Sequence, residues 1–262
     1  MIRYAFVLTT AARQQWVYRS ELVARAVQMV LFMGVFMALW STAFAVSGSS
    51  ELAGFSLAEM VWYLAMTETV ALSTSRIFMD ISEQVKAGDL AYTLARPLSY
   101  PFFQIANSLG GSAPRFVLNL LTGAVVVAVG LRQVTGSLPG LAAFLGVAAL
   151  ALLLDALMAV LIGLAAFWIE EVNPIYWIYS KLLFTVGGLF LPLEMFPTWL
   201  QRAVRWLPFQ YITYVPARTF VRFEPAFVAQ AVIGQLIYVA LLAGAVLLVW
   251  RAAQRRMVIH GG

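Results

Sequence analysis

The sequence predicts an all-α, polytopic membrane protein with six transmembrane helices. An interfacial helix precedes the first crossing, a short polar helix joins the second and third, and re-entrant helices come before the last. Three observations predict this. Hydrophobic residues fill 62% of the 262 positions and charged residues only 11%, less than half the roughly 25% usual in soluble chains. A soluble fold cannot hide that much apolar surface, whereas a bilayer accepts it as solvent. The apolar residues also come in charge-free runs of crossing length, at about 20 residues per span. Finally, 17 Lys and Arg stand against 12 Asp and Glu, an excess that in membrane chains reports topology and contact with anionic lipid.

Residues 1–25 mix Arg3, Arg13, Arg19 and Arg25 with Ile2, Tyr4, Phe6, Leu8 and Trp16. That is the mixture of an amphipathic helix lying on the inner leaflet, or at the least of a basic tail. No apolar core follows Arg3 closely and no small-residue cleavage site is evident, so the segment does not read as a cleavable signal. The apolar region spans 26–250. Its first run, Ala26 to Ser50, holds no charge and forms span one. Ser47-Gly-Ser-Ser makes a turn. Ser56 and Glu59 then have the spacing of a capping box, which opens span two. That span runs to about Ser75 and carries Glu68.

Residues 76–100 are polar. Asp80 with Glu83 has the spacing to cap a short helix, Gly88-Asp89 can end one, and Pro97 and Pro101 close the segment. Span three falls within 101–131. There Gly110-Gly-Ser-Ala-Pro114 either kinks one long helix or separates a short helix from the span proper. A turn at Gly136 to Pro139 leads into span four, about 140–169, with Asp155 in its middle and Glu170-Glu171-Val-Asn-Pro174 at its end. Pro174 suits the first turn of span five, which Gly187-Gly188 and Pro192 interrupt. Residues 194–225 are too polar and proline-rich for a plain crossing. Trp199, Leu200, Val204 and Leu207 recur there at helical spacing, as in a short helix half-inserted at the interface. The charge-free run 226–250 is the last span, and 251–262 forms a basic tail.

Six spans put both ends on one side. The segments 1–25, 76–100 and 251–262 then share ten Lys or Arg, against five on the other side, so both termini are expected in the cytoplasm. Trp40, Trp62, Trp168, Trp177 and Trp250 near span ends fit an aromatic belt.

Catalytic constellations are missing. The chain has no cysteine and one histidine, His260, so thiolate sites and a His-Glu-x-x-His zinc motif are excluded, and no metal site is expected. The two lysines, Lys86 and Lys181, follow Val85 and Ser180, so no Gly-Lys-Ser/Thr phosphate loop exists. Ionisable residues inside spans are costly and therefore informative. By helical rise, Glu68 and Lys181 fall at about equal depth, which makes them the expected pair; Asp155 lies nearer the outer leaflet and can meet Arg115 only if 101–131 is one helix. Such pairs either pin helices together or line a translocation path. The segment 80–100 is a solvated connector or a docking helix for a soluble partner, with complementary charge (Glu83, Lys86, Asp89, Arg96) and an apolar ridge (Val85, Leu90, Leu94).

The run from Asp80 to Pro97, with Glu83, Gly88, Leu90, Leu94 and Pro97, resembles the coupling segment of ABC-2-type ATP-binding-cassette exporter permeases. Gly187-Gly-Leu-Phe-Leu-Pro-Leu-Glu-Met-Phe-Pro-Thr-Trp-Leu200, followed by Trp206-Leu-Pro-Phe-Gln-Tyr211, resembles the segment in which these permeases fold short helices back into the outer leaflet. Tyr18-Arg-Ser-Glu-Leu22 and the overall length are similar to the compact bacterial branch. Arg115 behind Pro114 departs from the commonest pattern. The resemblance implies a six-span permease in the bacterial inner membrane, paired with itself or with a sister permease. It implies cytoplasmic ATPase subunits, which would hold ATP and Mg, docking on the coupling segment (Asp80, Glu83, Val85, Lys86, Gly88, Asp89, Leu90, Leu94, Pro97) and on inner loops such as Glu170-Glu171. Spans two and five, bearing Glu68 and Lys181, would line the route, and export is expected by analogy. The many aromatic and Met side chains suit a lipid-like, amphipathic or drug-like substrate, and suit lipid contact equally well. A stand-alone carrier or channel using Glu68, Asp155 and Lys181 is the competing expectation, although matching inverted halves are not visible.

Overall fold

The computed structural model describes residues 2–17, 19–88 and 98–260. Among them are ten α-helices: α1 (Ile2–Val17), α2 (Arg19–Ser47), α3 (Leu57–Ala71), α4 (Ile77–Ala87), α5 (Tyr100–Leu131), α6 (Leu138–Leu164), α7 (Asn173–Thr185), α8 (Thr198–Val204), α9 (Tyr214–Val221) and α10 (Pro225–His260). Short 3₁₀ turns occupy Ala165–Phe167, Leu193–Met195 and Pro208–Tyr211.

Four helices are long and apolar enough to cross a membrane, within Ser20–Ser47, Tyr100–Leu131, Leu138–Phe167 and Pro225–Arg256. Six crossings are the expectation from sequence, and the other two helices are shorter. The 15 residues of α3 and the 13 of α7 rise only about 22 and 20 Å, against a hydrocarbon core of about 30 Å. The sequence segments that suggested full spans include non-helical chain. Beyond α3 lie the turns at 72–76, and beyond α7 the chain breaks at Gly187-Gly188.

The N-terminal boundary also differs. The first helix stops at Val17, and α2 is already helical from Arg19. Arg25 belongs to α2, where Glu21 one turn earlier meets it at 2.7 Å, an i,i+4 pair that supports helix. The α1 helix lies along the first half of α5. A Cβ at Gly110 would collide with the Leu8 carbonyl and stand 2.8 Å from the Ala11 Cβ, so glycine is what allows the two backbones to approach.

Local signals shape the helix ends. Ser56 and Glu59 form the expected capping box: the Ser56 amide donates to Glu59 Oε2 at 2.8 Å and the Glu59 amide to Ser56 Oγ at 3.3 Å. Arg76 takes the N-cap position of α4, which places Asp80 inside the first turn and not at the cap; there its carboxylate still complements the helix dipole. Gly88 ends α4 with φ +72°, a left-handed conformation that glycine adopts without penalty. Pro114 sits inside α5, which runs unbroken from Tyr100 to Leu131; the Gly110–Pro114 stretch separates no short helix.

Twelve of the fifteen α3 residues are buried, which makes α3 the central helix of the bundle. The short α9 is buried as well and packs between α3 and α6. Its Phe220 ring stands 5.5 Å from Trp62 of α3 and 6.0 Å from Phe144 of α6. The expected interfacial segment 194–225 is therefore amphipathic only in part: α8 leaves Trp199 exposed, but α9 belongs to the core. A second apolar cluster joins α4, α6, the start of α5 and α10, with Tyr100 stacked on Trp250 at 5.0 Å. Outward-facing Leu31, Val35, Val125, Val129, Leu241 and Leu248 are exposed, as lipid-facing residues in a bilayer are.

Candidate functional site

The α4 helix is mounted on the bundle through one face. Ile77, Phe78, Ile81 and Ser82 are buried. Ile81 lies against Gly163 of α6, where an added Cβ would come within 2.8 Å of the Ile81 Cβ. Phe78 stacks on Tyr176 of α7 at 4.0 Å. Gln84 accepts hydrogen bonds from Tyr100 Oη at 3.0 Å and Gln104 Nε2 at 3.2 Å, which ties the helix to α5. Val85 is half-buried against the same cluster.

The opposite face carries the charge. Asp80, Glu83, Lys86 and Gly88 are exposed. Lys86 Nζ reaches Glu171 Oε2 at 3.4 Å, so one expected docking residue and one expected inner-loop residue meet. Glu171 also accepts from the Asn173 amide at 3.3 Å and from Asn173 Nδ2 at 2.6 Å. The Asn173 amide bond, followed by Lys86, holds the Glu171 carboxyl below the usual carboxylate range. The Asp80 carboxyl is pushed above that range, first by partial burial and then by the neighbouring Glu83 charge. Glu170 is exposed beside Glu171. Asp89, Leu90, Leu94, Arg96 and Pro97 lie outside the described residues.

The ionisable residues that the sequence places inside spans do not pair as expected. Glu68 is buried in α3, while Lys181 is exposed on α7 with its ammonium 5.4 Å from the Trp177 ring centre. Equal depth along two helices did not bring them together because the helices present those residues to different surroundings. Asp155 is buried and accepts a 2.6 Å hydrogen bond from Tyr179 Oη. Although 100–131 is one helix, Arg115 does not meet Asp155. It donates to Gln15 Oε1 at 3.0 Å and to the Thr74 carbonyl at 3.4 Å, and it reaches Glu21 at 3.4 Å.

Two polar constellations escaped the sequence reading. The first surrounds the broken chain after α7. Tyr63 Oη donates to the Gly188 carbonyl, Thr67 Oγ1 to the Leu189 carbonyl at 3.0 Å and Thr213 Oγ1 to the Gly187 carbonyl at 2.6 Å. Irregular backbone at membrane depth persists only where protein groups satisfy it, and here three hydroxyls do so. The one visible signal is the pair of threonines, Thr67 and Thr69, in the largely apolar α3. The second constellation adjoins the first through Tyr214, whose ring stands 6.3 Å from that of Tyr63. Tyr214 Oη donates to Glu194 at 2.7 Å, Arg218 bridges Glu194 and Glu224 at 3.7 and 2.9 Å, and Arg222 meets Glu59 at 3.2 Å. A cavity of about 450 Å³ beside it is bordered by Glu194, Gln201, Arg205, Gln210 and Arg218.

Nothing in this arrangement assembles a nucleophile with a base, and no group of three or more metal-ligating side chains occurs among the described residues. The geometry is that of a membrane bundle with a small polar helix clamped to one end. No curated protein matches the chain. A family model described as ABC-2 family transporter protein matches residues 29–261, which takes in all but the first turns of α2 and everything after it, leaving α1 outside. The chain therefore belongs to the ABC-2 transporter family, as a membrane component.

Proposed function

We propose that this chain is the permease subunit of an ATP-binding-cassette exporter, driven by a separate ATPase that docks on the 80–100 segment. The observation that carries this reading is the mounting of α4. Its buried face is fixed to α5, α6 and α7, while Glu83, Lys86 and Gly88 are presented outward with Glu171 alongside. A helix held on one side and charged on the other transmits a push to several spans at once. The family supports ATPase partners in general terms; ATP and Mg would be held there, with no cofactor in this chain.

In this reading residues 1–25 form the interfacial lead-in, 26–250 the permease domain and 251–262 a basic cytoplasmic tail. The six crossings are the four long helices plus α3 and α7, each completed by the non-helical chain beyond it. Both termini face the cytoplasm of a bacterial inner membrane, and a second permease, identical or a sister, completes the pathway. Glu68, Lys181 and Asp155 belong to that route or to the helices bordering it, and the cargo is lipid-like, amphipathic or drug-like.

Isolation of the native complex in mild detergent tests the docking. A stoichiometric P-loop subunit is expected, and its complete absence overturns the reading. Glu83→Lys and Gly88→Trp should leave the chain folded while separating ATP hydrolysis from transport; unchanged substrate-stimulated turnover in both would refute the docking assignment.

One observation favours a second reading, a secondary carrier. The Glu68 carboxyl is buried and makes no ion pair with any described residue, as a proton-binding site in a span would be. Transport that persists without any ATPase and disappears in Glu68→Gln would establish it.

A further inference from the structure

Where α2, α3, α4 and α5 converge, a recess of about 600 Å³ is lined by Arg25, Arg76 and Arg115. Glu21 and Asp80 border it too, so the cations exceed the acids. Part of this cluster is scaffold. Arg25 Nη1 donates to the Leu72 carbonyl at 3.0 Å and Arg115 to the Thr74 carbonyl at 3.4 Å, so both hold the chain just past α3. Glu21 is already shared between them, at 2.7 and 3.4 Å. Arg76 is different: it is exposed and makes no ion pair with any described residue.

The charges of Arg25 and Arg76 both act against that of Arg115, whose side chain is only 13% exposed, and Glu21 and Asp80 offset them only in part. Three guanidinium groups gathered at a partly dry site repel one another unless an anion comes between them. Depth adds a second argument. From Arg115 to Leu131 the helix rises about 24 Å, and from Arg25 to Ser47 about 33 Å. With a hydrocarbon core of about 30 Å, the recess falls at the hydrocarbon edge of the leaflet opposite the outer ends of those helices, within a guanidinium's reach of the headgroups. Basic pockets between membrane helices on the cytoplasmic side are suited to anionic headgroups.

We propose that this recess binds the phosphate of an anionic lipid headgroup from the inner leaflet. Arg76 and Arg115 approach its oxygens with guanidinium donors, a strong charge-assisted geometry, while Gln28 and Ser75 of the same lining offer neutral donors. The inference uses the inward orientation of the termini proposed above and is independent of ATPase docking.

The test uses the full chain in detergent, titrated with phosphatidylglycerol or phosphatidylcholine, with bound lipid read by native mass spectrometry. Wild type should retain phosphatidylglycerol preferentially. Arg76→Gln, which removes no ion pair with any described residue, should weaken that retention about fivefold, the effect expected of one basic side chain near an anionic headgroup. Its thermal unfolding should match wild type, which confirms that the fold is intact. Equal retention of the two lipids, or an unchanged preference in Arg76→Gln, overturns the site. Inorganic phosphate and glycerol 3-phosphate serve as competitors. Failure to displace the lipid at millimolar concentration supports the headgroup; displacement at micromolar concentration assigns the recess to a soluble phosphate compound and overturns the lipid source. None of these readouts involves ATP, so the site and the proposed function fail separately.

Discussion

Removing the hydroxyls that serve the chain break after α7 should destabilise the protein in a fixed order. Among the described residues Tyr63 is the one side-chain donor to the Gly188 carbonyl, and its ring is fully buried. Tyr63→Phe keeps the ring and strands that carbonyl in a dry interior, at a cost of about 1–3 kcal/mol. The Thr67 hydroxyl proton is shared between the Leu64 and Leu189 carbonyls, at 2.9 and 3.0 Å, so Thr67→Val should cost less than Tyr63→Phe. The Gly187 carbonyl receives both Thr213 Oγ1 at 2.6 Å and the Tyr214 amide at 3.2 Å. It keeps a partner in Thr213→Val, which should lose only a net hydrogen bond, about 0.5–1.5 kcal/mol. At about 2–4 °C per kcal/mol for chains of this size, Tyr63→Phe lowers the melting temperature by several degrees and Thr213→Val by a few at most. Fluorescence-detected size exclusion after heating in detergent measures all three. If Thr213→Val proves as damaging as Tyr63→Phe, or all three melt with wild type, the satisfaction argument is wrong.

Three further outcomes follow from the packing. Gly163→Val should push α4 off α6, because even the first added carbon would stand 2.8 Å from Ile81; a loss of about 1–3 kcal/mol and faster proteolysis at 77–88 would show it. Tyr179→Phe should destabilise through Asp155, whose buried carboxyl loses its 2.6 Å donor, and Asp155→Asn in the same background should recover part of the loss in a double-mutant cycle of melting temperatures. Glu171 gives a pH dependence. Its folded-state pKa is lowered, so its contribution is present above the ordinary carboxylate pKa and disappears as pH falls through the lowered value. Melting temperatures of wild type and Glu171→Gln should therefore differ at neutral pH and converge in acid, whereas a gap that widens in acid would reverse the sign.

What the sequence made legible was local. The Ser56–Glu59 box and the Gly88 stop depend on three or four neighbouring residues, so spacing alone predicts them, and both are present. The charge-free runs located the long helices for the same reason. Continuity through Pro114 was not legible, since proline inside a membrane helix is tolerated when neighbours satisfy the freed carbonyl, and those neighbours belong to other segments. Depth arithmetic for Glu68 and Lys181 carried no information on which way each helix is turned. Two of the three hydroxyls that serve 187–189, those of Tyr63 and Thr67, come from residues more than a hundred positions away in α3, and no periodicity encodes that encounter. Of the segment 80–100, residues 80–87 are helical as expected, while Leu90 and Leu94 lie outside the described residues.

The burial of α9 also bears on the order in which the protein can be completed. Between α3 and α6 there is little direct contact, and Phe220 fills the space between Trp62 and Phe144. A nascent chain that has emerged only as far as α7 holds its central helix beside an empty slot, with the Gly187 carbonyl still waiting for Thr213. Membrane insertion of the early helices thus precedes consolidation of their core. The plug that seals it is synthesised just ahead of the final span, so a ribosome stalled before residue 214 leaves a threaded but unfinished bundle.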